Sequence, residues 1–284
     1  MLSVVPEFYP RFSCRAGACR HSCCRGWEID VDDTSAARYR ALPGPLGDTL
    51  RQALFEDEGG WHFRLDEEER CPLLRRDGLC RLILERGEDA LCDICALHPR
   101  FFLDCGDVEL GGLGLSCEAA SALLLETEGP LRYAAGERLL TLPELLEQLG
   151  VQAAEGELRF SPCLDGARYE ALLRALRDTE PIDARWPEEI DALLSSLDRL
   201  LPQAAAYARR CDRTRYENLL GYVLYRQLDR LEELGFARLL AYARGCADYV
   251  FLRDAEEEDT AEHLRRWSEQ IEYSTENVDF LLES

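Results

Sequence analysis

Four thiols fall within eleven residues of the run FSCRAGACRHSCCRGW, at Cys14, Cys19, Cys23 and Cys24, and no other feature limits the possible folds of this chain as strongly. Of thirteen cysteines, ten lie at or before Cys117. Besides those four they are Cys71, Cys80, Cys92, Cys95, Cys105 and Cys117, whereas Cys163, Cys211 and Cys246 are scattered singly through helical sequence. An odd number of cysteines cannot pair completely within one chain. The opening MLSVVPEFYP lacks the basic start and apolar core of a secretory leader, so free thiols in the reducing cytoplasm are expected. No stretch approaches the roughly 18 apolar residues of a membrane span.

Charge narrows the partners. Thirty-three basic against fifty-five acidic residues give a net charge of −22, which repels nucleic-acid phosphates and anionic lipid at long range. Neither nucleic acid nor membrane is an expected partner. Every basic residue is arginine. That absence of lysine has a compositional reading, in a chain rich in Ala, Leu, Arg and Gly, and a sharper one, a lysine-modifying enzyme that spares itself.

Sequence character changes near residue 127. Residues 1–127 are irregular and cysteine-rich, with short strands expected near WHFRL and CGDVEL and a helix over residues 34–55 that Pro43 and Pro45 break midway. A further helix is expected after Ser116. Residues 128–284 read as successive amphipathic helices over 142–149, 166–177, 187–200, 213–234, 236–251 and 258–274. The expected fold is mainly α: an irregular cysteine-rich metal-cluster module with few short strands, plus an α-helical domain.

Two inorganic centres suit such thiols. Zinc takes Cys-x₂₋₄-Cys pairs, and Cys92 and Cys95 have that spacing. An iron–sulfur cluster is larger and accepts thiolates from several loops. Adjacent Cys23 and Cys24 fit one small ion less well, because neighbouring side chains diverge. Spacing alone leaves both open, and ten candidates allow one or two clusters.

Taken together, Cys14-x₄-Cys19-x₃-Cys23-Cys24-x₂-Trp27, CPLL at Cys71, GLC ending at Cys80, CALHPR from Cys95 to Arg100 and GLSCEAA around Cys117 resemble the flagellin lysine-N-methylase family. The similarity continues into RYENLLGYVLYRQL and SEQIEYSTENVDFLL. It implies a methyltransferase that moves methyl groups from S-adenosylmethionine to lysines of flagellin, with a [4Fe-4S] cluster held by cysteines of the first half. The implied metal ligands are Cys14, Cys19, Cys23, Cys24, Cys71, Cys80, Cys95 and Cys117. The same motifs resemble a wider class of zinc- or iron-chelating proteins, so a non-catalytic metal-binding or assembly protein is the competing reading, with zinc as the alternative metal. His98 and the extra Cys92 and Cys105 depart from the family pattern.

Lysine methylation needs a neutral amine, and deprotonating an ordinary lysine near pH 7.4 costs about 4 kcal/mol. A desolvating pocket or a base must supply that. Glu118, Glu272 and Glu276 are candidate bases, Tyr225 a candidate catalytic phenol, Arg100 a candidate anchor for the cofactor carboxylate and Trp27 a candidate cofactor wall. No Gly-x-Gly-x-x-Gly follows a strand, and Cys-x₃-Cys-x₂-Cys is absent because residue 26 is glycine. Two mechanisms remain: direct displacement in a pocket with the cluster structural, expected because a nucleophilic nitrogen needs no radical, and an open iron that binds the amino and carboxylate groups of S-adenosylmethionine.

Overall fold

The computed structural model describes residues 1–154 and 156–283. The chain is mainly α and forms two compact units, Met1–Phe12 with Phe102–Ser284, and Ser13–Phe101. The first begins with β1 (Leu2–Pro6) and is interrupted by the second. Residue 127, where the sequence changes character, falls within the first unit.

The second unit contains β2 (Ile29–Val31), α1 (Asp33–Ala41), α2 (Gly44–Ala53), β3 (Leu54–Asp57), β4 (Gly60–Phe63), α3 (Arg81–Arg86) and α4 (Asp93–Leu97). Its three strands form an antiparallel sheet ordered β2-β4-β3. Pro43 and Pro45 divide α1 from α2, as the sequence implies, and Gly44 supplies the left-handed φ of +83° that the junction needs. The N-cap of α1 is Asp32, whose carboxylate accepts the Ser35 amide at 2.8 Å.

From residue 102 the chain builds the rest of the first unit. Its sheet is ordered β5-β6-β1-β7-β8, from β5 (Arg100–Cys105), β6 (Val108–Leu113), β7 (Arg132–Ala135) and β8 (Arg138–Thr141) with β1 at the centre. Between β6 and β7 lies α5 (Glu118–Leu125). The remaining helices are α6 (Leu142–Gln148), α7 (Gly166–Arg177), α8 (Arg185–Tyr207), α9 (Arg213–Tyr225), α10 (Leu231–Leu234), α11 (Phe236–Glu256), α12 (Thr260–Trp267) and α13 (Thr275–Glu283). Several start on caps legible in the sequence: a Thr141–Glu144 capping box opens α6, and Asp165 and Asp212 cap α7 and α9.

Two expected helices are shorter than their periodicity suggests. The run over 213–234 breaks after Tyr225, where Arg226 turns its guanidinium to Glu272 at 2.6 Å. The run over 258–274 leaves α geometry after Trp267 and continues as a π-helical turn over Ser268–Glu272.

Phenols fasten α9 to the sheet. The Tyr225 hydroxyl lies 2.8 Å from the carbonyls of both Val4 on β1 and Gly111 on β6. Tyr222 donates to the Leu113 carbonyl and accepts its amide, at 2.8 and 2.7 Å. Both rings are fully buried and stack on each other, and Tyr225 also stacks on Tyr133. Tyr225→Phe is expected to cost about 1–2 kcal/mol by leaving buried carbonyls short of a donor, read as a lower urea midpoint at unchanged m-value.

Candidate functional site

Five cysteines from four segments enter the core of the second unit. Cys71 and Cys92 are buried, and half-buried Cys24, Cys80 and Cys95 pack against the same cluster of Ile29, Tyr39, Leu50 and Phe63. Backbone pairing brings them together. The Cys71 amide donates to the Cys24 carbonyl at 2.8 Å, and the Gly26 amide to the Glu69 carbonyl at 2.8 Å, joining the Cys-Cys turn to the segment before Cys71. Between Cys71 and Cys80 the chain reverses through Gly78, whose φ is +77°, and Leu74 bridges to Cys80. Cys80 and Cys92 are the N-caps of α3 and α4.

The Cys92 loop is held by charged groups. The Arg38 guanidinium donates to the carbonyls of Asp89, Ala90 and Leu91 at 2.9–3.1 Å, and the Tyr39 hydroxyl to Ala90 at 2.8 Å. Asp32 caps two helices at once, because its second oxygen accepts the Asp93 amide at 3.1 Å. Burial pushes the Asp32 carboxyl up, but these amides outweigh it and hold the pKa below the ordinary carboxylate range.

The thiols differ in acidity. Cys24 is lowered to about 7, chiefly by the Cys23 thiol hydrogen-bonded to it, and Cys92 to about 7 by Cys95 in the same way. Cys95 is pushed far up by that bond to Cys92 and by burial. Desolvation raises Cys71 to about 12 and also raises Cys80. Cys23 and Cys24 occupy a turn, where strand alternation does not apply.

Cys14 and Cys23 are exposed and Cys19 is half-buried. Their loop nevertheless touches the Cys71–Cys80 turn, for a Cβ at Gly17 would lie 2.6 Å from the Asp77 carbonyl oxygen, and one at Gly78 would lie 2.9 Å from Gly17 Cα. Trp27 is half-buried just ahead of β2, and Arg100 opens β5. Burial lowers the pKa of His98, at the C-cap of α4.

In the first unit, Cys117 is the N-cap of α5, Glu118 its first residue, and burial raises Cys105 to about 11. Glu276 is exposed and accepts from Ser274, and Tyr225 is engaged by the sheet. Glu272 differs from these. Its side chain is 1% exposed, one oxygen receives Arg226 at 2.6 Å and Ser268 at 2.5 Å, and Oε1 has no hydrogen-bond partner. Burial raises its pKa against the opposing pull of Arg226 and Ser268. Its charge acts on Tyr242 and Cys246, which line a cavity of about 570 Å³ between α7, α11, α12 and α13. Leu172, Ala241 and Trp267 also line it, and the buried Tyr242 hydroxyl and Trp267 indole N–H lack partners. Periodicity assigns Trp267 to the core; nothing in the sequence singles out Tyr242.

Comparison with known proteins agrees with the motifs. The lysine-N-methylase of Salmonella typhimurium is 32% identical over 126 residues, covering 42% of this chain and 31% of that protein. The lysine-N-methylase of Salmonella choleraesuis is 31% identical over the same coverage. The flagellar biosynthetic protein FliU of Salmonella muenchen is 30% identical over 139 residues, which cover 47% of this chain and 81% of FliU. The chain belongs to the flagellin lysine-N-methylase family. It spans about a third of the length of the two lysine-N-methylases. No protein-family model and no solved structure matches it. Of the cysteines in the methylase-family motifs, the core gathers Cys24, Cys71, Cys80 and Cys95. It adds Cys92, which lies outside those motifs and whose only sequence signal is its spacing to Cys95.

Asp32→Ala is expected to remove two caps and cost about 2 kcal/mol, measured by thermal denaturation. Because the folded pKa of Asp32 is depressed, its contribution is present above about pH 4 and is lost as pH falls through the lower folded value, so wild type and variant should converge in acid.

Proposed function

We propose that this chain is an S-adenosylmethionine-dependent protein-lysine N-methyltransferase acting on flagellin, with a [4Fe-4S] cluster held in the second unit by Cys24, Cys71, Cys80 and the Cys92–Cys95 pair. The names of its relatives support lysine methylation and a flagellar substrate. The observation that carries the metal centre is the packing of five thiols, drawn from four segments, into one apolar core. That donor set suits a thiolate-ligated centre: sulfur-only, loop-borne, and screened from water on the core side. When bound, the cluster supplies covalent ties between loops that the short elements of this unit do not otherwise fix.

Methyl transfer itself needs a pocket, a neutral amine and a proton acceptor. The cavity lined by Leu172, Ala241, Tyr242 and Trp267 offers apolar walls for a lysine stem and aromatic faces for a methylated ammonium. Glu272, whose charge acts on Tyr242, has one unpartnered oxygen and a raised pKa, which suits it as the final acceptor of the ammonium proton, with the Tyr242 hydroxyl as the relay from the cavity. The freed lone pair then attacks the methyl carbon while the carbon–sulfur bond breaks, leaving the neutral thioether and a methylated lysine. No electron is exchanged.

Anaerobically purified protein is expected to carry iron and sulfide in equal amounts, absorb near 400 nm and transfer methyl groups to flagellin. Colourless, zinc-loaded protein without turnover would reject the assignment. Cys71→Ser and Cys80→Ser should lose the absorbance and Cys211→Ser should keep it, as read by iron analysis. Tyr242→Phe removes an unsatisfied buried hydroxyl, so its stability should hold or rise by about 1 kcal/mol while turnover falls at least about tenfold. A purely structural Tyr242 would leave turnover unchanged.

A further inference from the structure

The three-stranded sheet of the second unit carries a set of ligand atoms distinct from the thiols. Asp30 lies in β2 with Glu28 one residue ahead of the strand, and the antiparallel register places Asp30 opposite His62. The His62 side chain is 8% exposed. Its Nδ1 lies 2.9 Å from Asp30 Oδ1 and 3.5 Å from Glu28 Oε1, and the three ligand atoms lie within 4.8 Å of one another. Among the described residues this is the one His, Cys, Asp or Glu group that meets that spacing.

The other ring nitrogen is already occupied. His62 Nε2 lies 3.0 Å from Asp57 Oδ1, which the Gly59 amide holds in turn at 2.8 Å. A Cβ at Gly59 would sit 3.3 Å from both of those atoms, so the close fit relies on a bare backbone there. An acceptor fixed at Nε2 draws a ring proton there, so Nδ1 meets the two carboxylates either as a second N–H or as a lone pair bound to a cation. Two carboxylate oxygens this close to one nitrogen require positive charge between them, from a second ring proton or from a metal ion. A proton would offset one of three converging carboxylates; a divalent ion offsets two. The Glu28 and Asp30 side chains are 70% and 66% exposed, so a hydrated ion can reach them, while the buried imidazole and Asp57 form the fixed wall.

We propose that Glu28, Asp30 and His62 Nδ1 bind a divalent first-row metal ion, with Asp57 orienting the imidazole. Two carboxylates and one imidazole select a harder ion than the thiols do, in the range of Mn²⁺, Fe²⁺ and Zn²⁺. The site shares no ligand with the thiol centre and does not depend on the methyltransferase reading.

Mn²⁺ is the discriminating probe, because thiolates compete for it poorly. Titration of the full chain with MnCl₂, followed by the electron paramagnetic resonance signal of the free ion, is expected to show one saturable site per chain. Glu28→Gln and Asp30→Asn change exposed side chains and should each weaken it at least about tenfold, with circular dichroism unchanged; Asp57→Asn should weaken it about 10- to 100-fold. Cys211→Ser, in the other unit, should leave it intact. An absence of saturable binding, or a site that survives both Glu28→Gln and His62→Gln at full affinity, overturns the proposal.

Discussion

An apolar core favours a neutral thiol over a thiolate, and the second unit sets five thiols in such a core. Desolvation, helped by the neighbouring thiols, pushes Cys71 to about 12, far from the charge state that a metal centre requires of its ligands. A bound cation reverses that preference, because its charge replaces the lost water. Folding of this unit and the state of its sulfurs are therefore linked. The short helices α3 and α4, six and five residues long, are too brief to stand by themselves. Their placement comes from what lies at their starts: Cys80 and Cys92 as caps, Asp32 shared by α1 and α4, and Arg38 clamped on the carbonyls leading to Cys92.

The first unit solves a different problem, fixing a small mixed sheet whose central strand β1 comes from the start of the chain. Hydroxyls of Tyr222 and Tyr225 on α9 bond backbone groups of β1 and β6, and Asn218 accepts the Leu131 amide and donates to the Gly129 carbonyl. With one face of α9 committed to the sheet, Arg226 turns to Glu272 in the π-helical turn. That turn keeps a carboxylate dry with one oxygen unpartnered, an arrangement costly for stability and useful for proton transfer.

Much of this was legible in sequence where chemistry is local. Helix α7 matches its expected limits because Asp165 and Gly166 mark its start, and Pro43 and Pro45 mark the division of α1 from α2. Strands expected near WHFRL and CGDVEL correspond to β4 and to the meeting of β5 and β6. Strand β1 and the pair β7–β8 were not legible, because each is four or five residues long and acquires its identity from its neighbours. The sites show the same division. Cys24, Cys71, Cys80 and Cys95 were readable as motif positions, whereas the membership of Cys92 depends on a clamp by Arg38 some fifty residues earlier. Tyr242 lies on an ordinary helical face, and only packing reveals that its hydroxyl is orphaned. The meeting of Asp30 with His62 requires knowledge of strand register, which no short pattern supplies.

Gly17 and Gly78 meet main chain to main chain, with no room for even one extra carbon on either side. Such a seam transmits displacement without cushioning, since there is no rotamer to absorb it. A shift in the loop that bears Cys14 and Cys19 is passed directly to the turn between Cys71 and Cys80, so substitutions at these two positions act on one another: a side chain gained on one side demands a backbone retreat on the other.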